Sequence, residues 1–183
     1  MANCTNQTLS GIQRPCGGGK GGIKTEVYIA LRDNLSGVTF VEQDPNPKNT
    51  ISAITLTGGQ WYKFEFNRNA ASFTSTAQYD RQTGEFSYFE NALSLSFRKM
   101  DAATRLSIQA LLENEVIVAF SDNNGTKYLL GYDEYVSSTS CTHTTGTNKT
   151  DSNVIDITLT DSTAQLPYQL TEACWETLTT EQA

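Results

Sequence analysis

The spacing of hydrophobic positions changes within residues 101–131, and this change predicts a helix that leads directly into a β-hairpin. Ile108, Leu111 and Leu112 follow the i, i+3, i+4 spacing of one buried helical stripe, and Asp101 is a suitable N-cap residue. We therefore predict a helix over about 101–114. The β-branched run 116–120 predicts a buried strand beyond it.

A tight turn follows that strand. Asn123, Asn124 and Gly125 are residue types that tolerate positive φ, and apolar strand sequence stands on both sides of them. The pattern predicts a hairpin whose second strand covers 127–130.

Most of the remaining chain alternates apolar and polar residues with the period of two that is typical of half-buried strands. Val27, Ile29 and Leu31 alternate with their neighbours, and Tyr62, Phe64 and Phe66 are predicted to point inward from another strand. The predicted strands cover residues 23–31, 38–41, 54–56, 61–66, 155–160 and 168–175. The helix of residues 101–114 is the only one that the pattern predicts.

Residues 71–98 predict one long hairpin with its turn at 81–84. Its aromatic residues outnumber what one sheet face needs, so the hairpin either packs wholly within its own domain or is covered by another chain. The candidate subunit-interface residues are Phe73, Tyr79, Phe86, Tyr88 and Phe89.

Polar and glycine-rich segments divide the rest of the chain. Residues 1–25 form a glycine-rich N-terminal arm, 26–176 one β-rich domain and 177–183 a frayed C-terminal tail. Residues 44–47 predict a rigid corner and 137–153 a long polar loop. Lys20 is followed by Gly21 rather than by Ser or Thr, which argues against a phosphate-binding loop.

Length and composition favour one domain of a mainly β class. The chain has 183 residues, of which 38% are hydrophobic and 10% aromatic, and β propensity dominates outside the predicted helix. We predict an antiparallel β-sandwich or half-barrel, with the one helix flanking it.

Charge and targeting signals narrow the class of protein. The net charge of −7 and the pI near 4.7 argue against a protein that grips a phosphate backbone. The sequence shows neither a signal peptide nor an apolar run long enough to span a membrane, which predicts folding in a cytosol. The cysteines, Cys4, Cys16, Cys141 and Cys174, are expected to be free thiols there.

The sequence offers no convincing catalytic or metal site. His143 is the only histidine, and with Cys141 it supplies too few ligands for structural zinc. The acidic pairs Asp133 with Glu134 and Glu113 with Glu115 have the pattern of solvated surface charge. We therefore expect no catalytic residue, no metal and no cofactor, and a protein that is not an enzyme.

The order of these features resembles the tail tube-like virion proteins of tailed bacteriophages. The resemblance covers residues from about 22 to 170. It rests on six segments: the glycine-rich start that leads into 22–30, the last part of the long hairpin at 93–97, the beginning of the helix at 100–105, the strand 116–120, the segment 124–131 and a final Thr-rich strand.

The resemblance implies a sandwich or half-barrel whose sheets join edge to edge in a closed ring, commonly a hexamer, and rings that stack into a tube. In that family the arm and the long hairpin reach the neighbouring ring. These roles would fall here on residues 1–25 and 71–97. An acidic wall would let DNA pass through the channel without specific binding.

Three functions are therefore weighed. The first is a structural virion subunit of a bacteriophage tail, made and folded in the cytoplasm of the host bacterium, whose partners are itself and other tail or neck proteins. The second is a head-to-tail collar, ring, adaptor or tail-terminator protein of the same particle. The third is a carbohydrate-binding or surface-binding β module, which would need Trp61, Tyr79 and Tyr88 to be exposed together.

Overall fold

The computed structural model describes residues 19–41, 49–98, 101–148 and 150–180, and it consists of two β-sheets and two helices. The predicted corner at 44–47, Cys4 and Cys16 lie outside the described residues. The strands are β1 (Ile23–Leu31), β2 (Leu35–Phe40), β3 (Thr50–Leu56), β4 (Tyr62–Glu65), β5 (Ala71–Tyr79), β6 (Phe86–Arg98), β7 (Val116–Asp122), β8 (Lys127–Leu130), β9 (Ser137–Thr144), β10 (Val154–Thr163) and β11 (Tyr168–Leu170). The helices are α1 (Ala102–Glu113) and α2 (Glu172–Thr180), and a 3-10 turn covers Arg32–Asn34.

The two sheets form a sandwich. The larger sheet has seven strands in the order β2-β3-β11-β8-β7-β1-β4, and the smaller has four in the order β5-β6-β10-β9. All pairs are antiparallel except β3 with β11, which run parallel. The predicted mainly β sandwich with a flanking helix is confirmed.

The seven-stranded sheet is covered on both faces, and this corrects the prediction of half-buried alternation in β1. Val27 and Ile29 belong to the core between the two sheets, whereas Tyr28 and Ala30 belong to a second core on the opposite face. Because both cores need apolar side chains, β1 has four consecutive buried residues from Val27 onward.

Helix α1 confirms the predicted helix and its cap. The Asp101 carboxylate accepts a hydrogen bond of 2.8 Å from the Thr104 amide, and the helix ends before Asn114. Only Ile108 and Leu111 of the predicted stripe are buried, and Leu112 is exposed. The covered stripe is therefore narrower than predicted.

Helix α2 was not predicted, and the strand expected over 168–175 ends at Leu170. The Thr171 hydroxyl accepts a hydrogen bond from the Cys174 amide and caps the new helix. Cys174, Trp175 and Leu178 are buried in the second core, where Trp175 makes an edge contact with Tyr28. The residues up to Thr180, expected to be frayed, are therefore helical.

The prediction of a polar loop over 137–153 is also wrong for its first half. Residues 137–144 form β9, which pairs with β10 along most of its length. The strand consists mainly of Ser and Thr and lacks the alternation of apolar and polar residues that predicts a strand. Such alternation is not needed here, because β9 lies at a sheet edge and is largely exposed.

The sandwich has two distinct ends. Strand β1 begins at Ile23 near the β7–β8 turn, where the Asn124 carboxamide bonds the backbone of Lys20. We call this the arm end. Strand β1 finishes at Leu31, near the start of β7 at Val116, and we call that the hairpin end, because the long hairpin of β5 and β6 turns there.

Candidate assembly surfaces

The long β5–β6 hairpin has a packed stem and a projecting tip. The register pairs Ala71 with Leu95 in the stem and Tyr79 with Phe86 beside the turn. Strand β10 pairs with β6 only as far as Phe89, so residues 79–88, which we call the hairpin tip, extend beyond the sheet. The predicted long hairpin is therefore present, and its tip has no covering strand among the described residues.

Three aromatic rings form a cluster at the base and inner face of this tip. Phe86 lies 4.8 Å from Phe89 and 6.2 Å from Tyr79, measured between ring centroids. Tyr79 is 61% exposed and Phe86 is 44% exposed, whereas Phe89 is half-buried. Such neighbouring exposed rings are unusual on a surface that faces only water.

The other predicted interface residues lie elsewhere. Phe73 packs into the core, where its ring is 5.0 Å from that of Phe120 and 6.0 Å from that of Tyr128. Tyr88 pairs with Gln78 and, by the alternation of β6 about the buried Asn91 and Leu93, lies on the outer face of the sheet. The structure therefore brings together Tyr79, Phe86 and Phe89, and it does not add Phe73 or Tyr88 to their cluster.

The turn at the hairpin tip is held by its own side chains. The Asp80 carboxylate accepts hydrogen bonds of 2.6 Å from the Gln82 amide and 3.0 Å from the Thr83 amide. These bonds, first that from Thr83, lower the pKa of Asp80 below its ordinary value. Gly84 has a φ of +71°, which favours glycine there. The tip is thus an ordered projection.

The comparisons with known proteins give no relative. No family model, curated protein or solved structure matches this chain. The function must therefore be argued from the chain's own surfaces.

Four strands lie at sheet edges: β2, β4, β5 and β9. Beside β4, Tyr62 and Phe64 face residues Ala103 and Ser107 of α1 across an open groove of about 630 Å³. Edge strands expose unpaired backbone groups, so they are natural places for another chain to pair.

An acidic cleft opens at the hairpin end. It has a volume of about 830 Å³ and is lined by six carboxyl side chains and one guanidinium. The carboxyls are Asp33, Glu90, Glu115, Asp133, Glu134 and Asp161, and the cation is Arg32. The Arg32 guanidinium donates a hydrogen bond of 2.9 Å to the Tyr132 carbonyl, so part of its donor capacity is already used.

The rim of the cleft is exposed, and one of its carboxylates is fixed. Asp133 accepts a hydrogen bond of 2.9 Å from the Tyr168 hydroxyl. Burial, followed by this bond, raises the pKa of Tyr168 to about 12, so the phenol keeps its proton near neutral pH. The sequence pattern predicts scattered solvated charge for Asp133, Glu134 and Glu115, because it does not show that the loop after β8 meets the start of β7.

Asp161 is the buried carboxyl of the cleft and was missed by the sequence analysis. It is 5% exposed, and it pairs across the sheet with Asn91, which is fully buried. One Asp161 oxygen, Oδ2, accepts a hydrogen bond of 2.8 Å from the Gly131 amide. Its other oxygen, Oδ1, and the Asn91 Oδ1 have no hydrogen-bond partner among the described residues.

Burial raises the pKa of the Asp161 carboxyl, and the favourable effects of the Asn91 side chain and the Gly131 amide only partly offset it. A signal for this residue existed in the sequence: Ile157, Leu159 and Asp161 alternate on one strand face. An acidic residue at an inward position departs from this apolar alternation and marks a candidate functional residue.

The remaining sequence candidates do not form a site among the described residues. His143 is exposed on β9 and lies 3.3 Å from the Asn153 carboxamide oxygen. Cys141 is exposed on the same strand, Cys174 is buried, and both are free thiols. No group of three or more His, Cys, Asp or Glu side chains within the described ranges could hold a metal ion.

Trp61 is 2% exposed and packs in the second core with α2. The prediction that Trp61 is exposed with Tyr79 and Tyr88 on a carbohydrate-binding face is therefore wrong for Trp61, whose indole is inside the protein. Tyr62, predicted to point inward, is instead 48% exposed. Phe64 and Phe66 do face the core as predicted, where both rings contact Phe97, so only Tyr62 departs from the prediction. No helix in the described part of the chain is long and apolar enough to cross a membrane.

Proposed function

We propose that this chain is a structural subunit of a bacteriophage tail, which assembles with its own copies into stacked rings around a channel for DNA. The observation that carries the proposal is the long hairpin, whose ordered tip extends beyond the sheet and exposes the Tyr79 and Phe86 rings. A second chain that covered these two aromatic side chains would remove their apolar surface from water, which is favourable.

The free sheet edges support the same proposal. Strands at the edges of both sheets can pair with the edges of neighbouring copies, and a closed ring leaves none of them open. The hairpin tip would then contact the adjacent ring, as the resemblance to tail tube-like proteins implies. Because of the same resemblance, we expect each ring to contain six subunits.

The charge of the chain agrees with a conduit for DNA. The net charge is −7, so phosphates inside an acidic channel would be repelled from its wall and would pass without being trapped. In this role DNA is a passing cargo, and the chain needs neither a catalytic residue nor a cofactor.

The test is negative-stain electron microscopy combined with mass photometry of the purified chain over a range of concentrations. Rings or stacked rings with an open centre are expected. Single rings that never stack, even at high concentration, would favour a collar or adaptor role in the same particle. A strictly monomeric chain would contradict the proposal.

A pair of charge insertions sharpens this test. Phe86→Asp with Tyr88→Asp places charges on both faces of the hairpin tip and should abolish assembly, because an unpaired charge buried in an interface costs several kcal/mol. Ser94→Asp adds a charge to the same strand within the stem and serves as the matched control. Normal assembly of the double variant would show that the tip is not an interface.

A further inference from the structure

The glycine-rich start of the described chain follows one path although its side chains are exposed. Gly19, Lys20, Gly21 and Gly22 are all exposed, and the first buried side chain is that of Ile23 at the start of β1. Glycine loses more conformational freedom on ordering than any other residue, so this backbone needs specific contacts to hold it. Those contacts come from the turn between β7 and β8.

Asn124, in that turn, binds Lys20 through both ends of its carboxamide. The Lys20 amide donates a hydrogen bond of 2.8 Å to Asn124 Oδ1, and Asn124 Nδ2 donates one of 2.9 Å to the Lys20 carbonyl. Residue pairs of antiparallel strands exchange two hydrogen bonds in the same way, and here a side-chain amide takes the place of a peptide group. The double contact fixes the position of the Lys20 backbone.

Asn123 extends the contact to the next two residues. Its Nδ2 donates a hydrogen bond of 2.8 Å to the Gly21 carbonyl, and its backbone amide donates one of 3.1 Å to the Gly22 carbonyl. Gly22 has a φ of +91°, and a Cβ at this position would lie 3.1 Å from Asn123 Nδ2. Glycine therefore suits position 22 for both conformational and steric reasons. We call Asn123 and Asn124 the asparagine clamp.

The turn that carries the clamp is held independently of the residues that the clamp binds. The Asp122 carboxylate accepts hydrogen bonds of 2.9 Å from the Asn124 amide and 2.7 Å from the Thr126 amide. The Gly125 amide donates to the Asp122 carbonyl, and Gly125 has a φ of +94°. Because of these bonds, the turn can keep its shape when the clamp is open.

We propose that the asparagine clamp is a releasable anchor for the chain before Ile23. When it is closed, it fixes the direction in which this segment leaves the subunit. When it opens, it frees residues 20–22 and leaves the two cores intact, because the hydrogen bonds of 20–22 within the described ranges all come from Asn123 and Asn124. Exposed backbone without buried side chains is the part of a fold that opens locally.

Asparagine is the residue type that this contact requires. Its carboxamide offers an acceptor and two donors, so Asn124 can accept from the Lys20 amide and donate to the Lys20 carbonyl at once. An aspartate would offer acceptors only and would place an oxygen against that carbonyl. The sequence pattern predicts the tight turn but does not reveal its second role, because Lys20 and Asn124 are 104 residues apart.

Limited trypsin digestion measures the opening of the clamp, because cleavage after Lys20 requires the residues on both sides of it to leave the turn. Asn124→Ala removes both hydrogen bonds to Lys20 and should raise the rate of this cleavage by about tenfold or more. Asn124→Asp keeps an acceptor but loses the donor, so it should also raise the rate. The unfolding midpoint in urea should stay near that of the wild type, since the turn is exposed.

Two glycine variants provide a matched control. Gly22→Ala places a side chain where φ is positive and Asn123 is close, so cleavage after Lys20 should again be about tenfold faster. Gly21→Ala adds the same methyl group one residue earlier, where nothing lies within 4 Å of the added Cβ. Its cleavage rate should not exceed that of the wild type.

Hydrogen exchange followed by mass spectrometry provides a second measurement, which does not depend on the access of a protease. Exchange in a peptide that contains residues 20–23 should be faster in Asn124→Ala by the same factor, because the Lys20 amide has lost its acceptor. Peptides from β6 and β10 should exchange as in the wild type. Wild type and variants are compared at a concentration where mass photometry gives them the same size distribution.

This inference concerns the single subunit, so it is tested apart from the proposed function. Wild-type rates of cleavage and exchange in Asn124→Ala would overturn it, as would equal acceleration by Gly21→Ala and Gly22→Ala. Acceleration together with an equal loss of global stability would overturn it too, because residues 20–22 would then belong to the cooperative fold. A chain that forms no rings contradicts the proposed function and leaves the clamp unaffected.

Discussion

The stem and the tip of the long hairpin are made by the same two strands, yet the large apolar side chains are buried in the stem and exposed in the tip. In the stem, Leu93 and Leu95 are fully buried against the larger sheet. In the tip, the large rings of Tyr79 and Phe86 are 61% and 44% exposed, and no strand covers them among the described residues. The stem thus stabilises the subunit, whereas the tip is available to stabilise an assembly.

The largest expected effect comes from a truncation in the stem. Leu93→Ala should lower the free energy of unfolding by about 3 kcal/mol, because it leaves a cavity in the core between the sheets. The measurement is urea unfolding followed by circular dichroism. The matched truncation Phe86→Ala in the tip should lower it by less than about 1 kcal/mol. Equal losses would mean that the tip packs as tightly as the stem.

The next prediction concerns Phe73, which the sequence analysis grouped with the interface residues. Phe73→Ala should cost about 2 kcal/mol of unfolding free energy, because its half-buried ring contacts Phe120 and Tyr128. The same urea experiment measures this loss. Assembly at temperatures well below the unfolding transition should be unchanged. Normal stability with lost assembly would return Phe73 to the interface.

The spacing of apolar residues along the chain predicted the elements whose core-facing residues are all apolar. Some of these elements pack against the core on one face and others on both. Strand β7, helix α1 with its Asp101 cap and the hairpin of β5 and β6 were all found from local pattern. In each, the residues that face the core are apolar, so burial and sequence carry the same information. The aromatic excess near the tip was visible for the same reason.

Elements whose environment is set by distant parts of the chain were not predicted. Helix α2 depends on the second core, which the sequence does not reveal because Tyr28 and Ala30 look like outward positions of β1. Strand β9 is a polar edge strand, and its main contact among the described residues is its pairing with β10. The cleft joins residues from the 3-10 turn after β1, from the loops before β7 and after β8, and from β2, β6, β9 and β10, so no local pattern could assemble it.

Asp161 of β10 pairs with Asn91 near the border between stem and tip, and it should give a smaller, pH-dependent effect. Its pKa is raised by burial, so the folded chain retains a proton that the unfolded chain loses above the ordinary value of 3.8. The stabilisation from this proton is complete below that value and is lost as the pH rises through the raised pKa. Stability at neutral pH is therefore lower than it would be with a neutral side chain.

Asp161→Asn should remove this pH dependence and raise the free energy of unfolding at neutral pH by about 1 kcal/mol. The asparagine oxygen can still accept the Gly131 amide, and its NH2 group lies opposite the unpaired Asn91 oxygen. Urea unfolding at several pH values between about 3 and 7 measures the effect. A variant less stable than wild type at neutral pH would mean that the carboxylate already has a donor within the subunit.

The smallest expected effect is local to the tip. The pKa of Asp80 is lowered by its bonds to the Thr83 and Gln82 amides, so the stabilisation they give is present above the ordinary pKa and is lost as the pH falls through the lowered one. The Gln82 and Thr83 amide signals in 15N NMR spectra should therefore move at a pH below 3.8, while signals of the stem stay fixed. Asp80→Asn should abolish the movement without changing the unfolding midpoint. Movement that spreads into the stem would show that tip and stem respond as one unit, and the division of the hairpin into a stabilising and an assembling part would then fail.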